Sequence, residues 1–239
     1  MVSYHPYSIF PLGDTALTID FGNTIDLSLN LKVQSLYHLL LDKNWKEVLD
    51  IVPAYSSISV YYDLCAIPSI KDQKTAFEWM AEKIEFLTGE EIQLYPEANR
   101  KIKVPVCYSL KFGTELQELA EFKGLSIDEV IHIHTSKSYR VYMLGFLPGF
   151  AYMGDVEDAI SMARRPIPKK VVAGSVGIAG KQTGIYPFEC PGGWQIIGRT
   201  PVKVFNKEEK KPVLFQPGDE VKFYSITEHE FEDYKARRS

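Results

Sequence analysis

Three stretches in the second half of this chain hold residue types suited to gripping an anion. The first is Tyr139–Tyr152, an aromatic-rich run that carries Arg140 and is broken by the turn Pro148-Gly149. Period-two alternation sets Arg140, Tyr142 and Leu144 on the face opposite Tyr139, Val141 and Met143. A guanidinium beside aromatic rings suits a carboxylate or a phosphate. For Phe146 and Tyr152 a structural aromatic corner accounts for the residues equally well. The second stretch is Ala173–Pro187, with glycines at 174, 177, 180 and 184 and a single cation, Lys181, among them. Val176, Ile178 and Ile185 make it too apolar for a flexible linker, so it reads as short strands with tight corners. Its glycines serve either barrel corners or an anion nest of backbone N–H groups, and the run alone leaves both open. The third stretch, Pro191–Thr200, turns at Gly192-Gly193 and places Gln195 and Arg199 four apart, on one face of a strand. Arg164, Arg165, Lys169 and Lys170 precede the glycine run in a proline-broken loop, a cluster that raises the positive potential there.

Familiar templates do not fit. The run from Gly174 to Gly180-Lys181 is one residue too long for a P-loop, and Gln182 stands where Ser or Thr should follow the lysine. The glycines at 174, 177 and 180 miss the dinucleotide-binding spacing, and there is no Gly-x-Ser-x-Gly elbow. His132 and His134 point about 200° apart on a helix, so they make a poor metal pair and suit a solvated or capping role. No metal site and no acid/base pair follow from spacing. Trp45, Trp79 and Trp194 suit core positions.

The elements that must position these residues follow from periodicity. Ser8–Phe10 and Ala16–Phe21 read as strands around the turn Pro11–Asp14. Asn23–Leu41 shifts to helical spacing through Leu29, Val33, Leu36 and Leu40. Val48–Val52 and Ser57–Tyr62 are strands again. Ser69–Leu87 is a second helix, capped by Ser69 and Asp72 and ended by Gly89. Strand-strand-helix, twice, predicts an N-terminal α+β domain over residues 1–90, with one sheet covered on one side by two helices. Residues 91–100 are polar and aperiodic, a linker. Lys101–Tyr108 alternates as a strand. Thr114 with Gln117 and Ser126 with Glu129 have capping-box spacing before two short helices, the second ending near His134. Residues 139–224 are strand-rich with Gly/Pro turns, which predicts a barrel or sandwich over 101–226. The charged tail, 227–239, reads as a short frayed helix.

Composition bounds the function. Hydrophobic residues are 45% and charged residues 24% of 239, ordinary for a globular chain. A net charge of −4 argues against nucleic acid. No apolar run reaches the roughly 20 residues of a membrane helix, and Met1–Pro6 lacks signal-peptide character, so the expected location is the cytoplasm. Three separated cysteines, Cys65, Cys107 and Cys190, fit reduced thiols.

Tyr139–Phe150, Ala173–Pro187 and Pro191–Pro201, together with Gly13–Leu17 and Phe21-Gly22, resemble the allophanate hydrolase subunit 1 family. That family includes the B subunits of ATP-dependent 5-oxoprolinases and the KipI inhibitors of a sporulation histidine kinase. The match runs over residues 8–226. Ala151 stands where the family often has Pro, Asp155 where it often has Gly, and Tyr108–Gly113 departs from its usual Tyr-Gly-Gly-Glu-Phe-Gly. The resemblance implies an N-terminal α+β domain followed by a cyclophilin-like β-barrel. It implies a B subunit that works with a homologous C subunit to phosphorylate 5-oxoproline with ATP and Mg²⁺, after which an A subunit opens the lactam to glutamate. Under that reading Lys181, Arg140 and Tyr142 are the expected catalytic residues, with Lys181 neutralising phosphate. Gly177, Gly180, Gln182, Tyr186, Gln195 and Arg199 are the expected binding residues, with Arg140 or Arg199 on the carboxylate. Two alternatives remain within the family: a KipI-like kinase inhibitor that uses an apolar barrel surface, and a carboxyltransferase or allophanate hydrolase component. The latter needs a biotin carrier, and no Met-Lys-Met segment occurs here.

Overall fold

The computed structural model describes residues 7–22, 24–68, 74–88 and 100–237. The chain divides into two units, residues 1–97 and 98–239. In the first, strands β1 (Ser8–Pro11) and β2 (Ala16–Asp20) lead into helix α1 (Leu27–Lys43). Strands β3 (Val48–Pro53) and β4 (Ser57–Tyr62) lead into α2 (Ala76–Thr88). The strands form an antiparallel sheet in the order β1-β2-β4-β3. Alternation puts Leu17, Ile19, Ile58 and Val60 on one face, where Val33, Leu36, Met80 and Ile84 of the helices cover them. Each such side chain contributes about 1.5–3 kcal/mol on burial. Asp26 caps α1, its carboxylate accepting the Leu29 N–H at 3.0 Å. Thr75 and Glu78 cap α2 reciprocally. The caps expected at Ser69 and Asp72 and the stop at Gly89 lie outside the described residues. Trp45 and Trp79 pack at the edge of this core, with the Lys83 ammonium 4.4 and 4.7 Å from their rings.

The second unit begins with β5 (Lys101–Val106), α3 (Leu116–Lys123) and α4 (Ile127–Ser136). It continues through β6 (Ser138–Leu144), β7 (Ala151–Gly154), β8 (Lys169–Val171), β9 (Ser175–Ala179) and β10 (Gln182–Ile185). Then follow β11 (Cys190–Gly192), β12 (Gln195–Arg199), β13 (Glu220–Ser225) and α5 (Glu228–Ala236). Among the described residues, seven strands form a sheet in the order β12-β9-β10-β7-β6-β13-β5, with β8 and β11 as a separate ribbon. Within that sheet only β13 and β5 run parallel. The sheet curls until Cys107, just past β5, pairs with Arg199 at the end of β12: Cys107 N–H donates to Arg199 O at 2.8 Å, and Arg199 N–H donates back at 3.0 Å. The barrel-like interior is filled by Val104, Val106, Val141, Met153, Val176, Ile178, Ile197 and Phe223, with α3 and α4 adding Leu116, Leu119 and Val130.

Three expectations are corrected here. The spacing of Thr114 and Gln117 does not produce a cap: the Thr114 hydroxyl donates to the Glu115 carboxylate, Gln117 pairs with Glu121, and α3 starts without a side-chain cap. At α4 the Ser126/Glu129 box does form. The C-terminal helix is docked rather than frayed, because Thr227 and Glu230 form a full capping box and Phe231 is completely buried. His134 is neither solvated nor a cap. It is completely buried, stacked on Tyr139 and Phe223 at 5.2 and 4.8 Å.

The partners of His134 fix its tautomer. The Thr183 hydroxyl spends its proton on Gly177 O at 3.0 Å, so at 3.0 Å from His134 Nε2 it can only accept. His134 Nε2 therefore carries the hydrogen, and Nδ1 accepts from the Tyr108 hydroxyl at 2.8 Å. Burial holds the ring neutral, with its pKa down to about 3. A chain of hydrogen bonds thus runs from Tyr108 beside the barrel seam to the middle of β9.

Candidate functional site: a cationic groove on the barrel's outer face

Two β-bulges decide which side chains look outward. In β12 the register slips between Ile196 and Gly198. Before the slip, Gln195 opposes Ile178 and Ile196 opposes Gly177; after it, Arg199 opposes Ser175. Opposed residues share a face, so Gln195 goes with the interior residue Ile178, while Ile196 and Arg199 share the outer face. The common face expected for Gln195 and Arg199 is therefore broken by one extra residue. The same device acts in β6, where the slip between Val141 and Met143 returns Leu144 to the core side, away from Arg140 and Tyr142.

The outer face carries an aromatic brace. Phe150 is buried against Tyr186 and Trp194, both edge-on with centroids 5.3 Å away. Burial pushes the Tyr186 hydroxyl up to about 12, partly offset by a backbone hydrogen bond from Trp194. At Gly177 an added Cβ would come within 3.1 Å of Trp194 Cβ and 3.2 Å of Ile196 Cδ1, so the absence of a side chain lets β12 lie flat on β9.

Over Ile196 the face opens into two joined recesses of about 210 and 330 Å³, which share Thr114, Lys170, Val171 and Ile196. One end is organised by Glu115. Its buried carboxylate accepts the Ile196 N–H at 3.1 Å and the Thr114 hydroxyl at 2.8 Å. The same carboxylate draws Lys169 to 3.5 Å and Arg165 to 3.6 Å. Arg165 also pairs with Glu118 at 3.0 Å. At the other end Lys111, Lys170 and Arg199 line the recess. Arg199 Nε donates to Ala173 O at 2.9 Å, and its guanidinium lies 5.9 and 6.0 Å from the rings of Phe112 and Phe231. Among the described residues, no carboxylate pairs with Arg199. Lys170 and Lys111 meet Glu189 and Glu228 at 2.8 and 3.7 Å, but these carboxylates are half-exposed and hold them weakly. The arrangement suits a carboxylate or phosphate, for which an arginine fork is the matching donor.

Most of the other expected residues lie elsewhere. Arg140, Gly154 and Gln182 form one row across β6, β7 and β10. Gly180 and Lys181 turn the β9–β10 corner at the same end, where Gly180 has φ +59°. That end is separated from the Ser175–Arg199 end by the length of β9, about 13 Å at roughly 3.3 Å per residue. Lys181 Nζ is 3.0 Å from Asp158. This hydrogen bond, with the nearby charges of Asp155 and Glu157, raises the ammonium's pKa. Arg140 is half-buried and interacts with its surroundings. Tyr142 is buried, its ring 3.3 Å from where a Cβ of Gly154 would stand. Among the described residues, no group of three or more His, Cys, Asp or Glu side chains could hold a metal ion.

Reading by sequence misses Lys111, Phe112, Glu115 and Phe231. Glu115 sits among other polar residues in a stretch that reads as a helix start, with nothing local to mark it as buried. For Phe231 a signal exists: Thr227-x-x-Glu230 has capping-box spacing, followed by one large apolar residue.

Residues 7–215 match the family model for the carboxyltransferase domain, subdomain C and D. The B subunit of the 5-oxoprolinase of Bacillus subtilis is 39% identical over 232 residues, which cover 96% of this chain and 97% of that protein. One solved chain, 34% identical, superposes with a TM-score of 0.75 over 88% of this chain and 40% of its own length. The urea carboxylase of Kluyveromyces lactis, 19% identical, shares the fold with a TM-score of 0.76 over 95% of this chain, which spans 22% of that longer protein. The α+β unit followed by a cyclophilin-like barrel is the architecture common to them.

Proposed function

Because the chain belongs to the carboxyltransferase subdomain C and D family, and within it to the group of 5-oxoprolinase B subunits and KipI, we propose that it is the B subunit of an ATP-dependent 5-oxoprolinase. It works with a C subunit to phosphorylate 5-oxoproline, and hydrolysis to glutamate is completed by an A subunit. The observation that carries this reading from the chain's own side is Arg199: a guanidinium in an open groove, without a carboxylate partner among the described residues. Both substrates are anionic, one through its carboxylate and the other through its phosphates.

The groove's residues fit ATP by charge. Lys111, Lys170 and Arg199 would hold phosphate oxygens, and Mg²⁺ would arrive bound to the nucleotide. ATP supplies the phosphoryl group that turns an inert amide into one water can open. The chain's part is to orient and to neutralise, the two tasks that dominate phosphoryl transfer. Ile196 and Trp194 limit water at the groove floor, and Glu115 keeps Arg165 and Lys169 at its far end. Lys181, at the other end of β9 among Asp155, Glu157 and Asp158, is not assigned to the phosphate. A need for ATP fits a cytoplasmic location.

The test is reconstitution of the chain with its C and A subunits, followed by glutamate release that depends on both ATP and 5-oxoproline. No release from the wild-type assembly overturns the reading.

A further inference from the structure

We propose that the Lys111–Lys170–Arg199 recess is a preset receptor for a small oxyanion, and that the C-terminal helix α5 is the element that presets it, through Phe231. The inference rests on the groove being the place where the chain meets its ligand, as proposed above.

An arginine side chain has four rotatable bonds, and an exposed one samples many orientations before it binds anything. Arg199 is restrained from three sides. Its backbone closes the barrel against Cys107, and its Nε is anchored on Ala173 O at 2.9 Å in the glycine-rich run. Its guanidinium lies on one side of a ring pair, 5.9 Å from Phe112 and 6.0 Å from Phe231. These rings in turn pack against each other, centroids 4.5 Å apart. Phe231 is the inner contact of α5: it is completely buried although the helix is otherwise polar. The helix is held in place by its capping box, by the Ile226 N–H donating to Val106 O at 3.0 Å, and by Glu228 facing Lys111 at 3.7 Å. Lys235 lies 4.8 Å from the Phe231 ring.

With Nε committed to Ala173, what remains of the fork for a ligand is the pair of terminal nitrogens. Two N–H donors in one plane match two oxygens of a carboxylate or of a phosphate. Holding that plane before binding removes part of the ordering cost that would otherwise weaken affinity.

The experiment is titration of the full chain with inorganic phosphate and, in a parallel arm, with acetate, followed by calorimetry or amide chemical shifts, with the melting temperature recorded for each variant. The two arms distinguish a phosphate receptor from a carboxylate receptor. We expect Arg199→Ala to abolish saturable binding. Phe231→Ala should weaken it about fivefold to tenfold, the scale of a lost cation–π restraint, and Phe231→Tyr should restore it. If Phe231→Ala does not fold, Phe231→Leu keeps apolar volume without a ring and is expected to show the same weakening. Unchanged affinity in a folded ringless variant, or no saturable binding of either anion to the wild-type chain, overturns the proposal. Anion binding that depends on Phe231 in a chain that supports no glutamate formation would leave this inference standing while the proposed function falls.

Discussion

Arg199 and Lys181 mark the two ends of one strand, β9, and they are opposites. Arg199 is backed by a carbonyl and two rings, faces a recess, and has no carboxylate against it among the described residues. Lys181 sits on a tight corner with nothing crowding Gly180 beside it, away from the recess and among the acidic groups of Asp155, Glu157 and Asp158. What decides whether a cation can serve a ligand is where the fold places it. The glycines next to it decide very little.

That contrast can be broken at several points. The largest effect is expected from Gly174→Ala at the Arg199 end. Gly174 has φ +84°, and a Cβ there would stand 2.5 Å from Thr200 O. A backbone oxygen cannot step aside cheaply, so we expect a loss of several kcal/mol, measured as a lowered denaturation midpoint. The equivalent change at the other end, Gly180→Ala, meets nothing within 4 Å and carries only the left-handed penalty of about 1–2 kcal/mol. Equal effects at the two glycines would refute the difference in crowding.

Next in size is the strand between the ends, pinned through His134. An unfolded His134 titrates near 6.5, whereas the folded one is held to about 3. Between those values the unfolded chain binds more protons, so stability is fully present above pH 6.5 and declines as pH falls toward 3. The decline should reach the order of a few kcal/mol. A His134→Gln variant, lower in stability at neutral pH, should show a flatter acid limb in urea denaturation at stepped pH. A slope identical to wild type would remove His134 from the account.

For activity, Arg199→Ala should lower kcat/KM of the reconstituted assembly by roughly 30- to 100-fold, about 2–3 kcal/mol of lost charge-assisted hydrogen bonding. Lys181→Ala should change it by no more than about threefold, since Lys181 lies at the other end of β9 from the recess. The reverse order would return the phosphate to the glycine corner. Smallest of all, Asp158→Asn should leave the melting temperature nearly unaltered, because an ion pair this exposed is screened by water and adds little to stability.

The fold was largely legible in the sequence. The strand-strand-helix repeat, the strand-rich second half and the Ser126/Glu129 cap follow from period and cap chemistry, which are local. The groove was legible only in part. Arg199 and the Arg165–Lys170 cations stand out by type, but the two bulges that sort inner from outer faces leave no mark on the residues around them. Val141, Tyr142 and Met143 alternate as well as any straight strand would. Nor can a chain read in one dimension show that Phe112 and Phe231 meet, or that His134, on a helix with polar neighbours, turns into the barrel. Such pairings are set by tertiary packing between segments distant in sequence.

The closure of the barrel at Cys107 and Arg199 has a kinetic corollary. Two amide hydrogens, those of Cys107 and Arg199, carry that seam, while the other junctions in the sheet are ladders. Their exchange with solvent deuterium therefore reports the parting of the seam, separately from the global unfolding that releases β9 and β10. An anion that grips the Arg199 side chain only while the seam is closed would slow exchange at these two backbone positions.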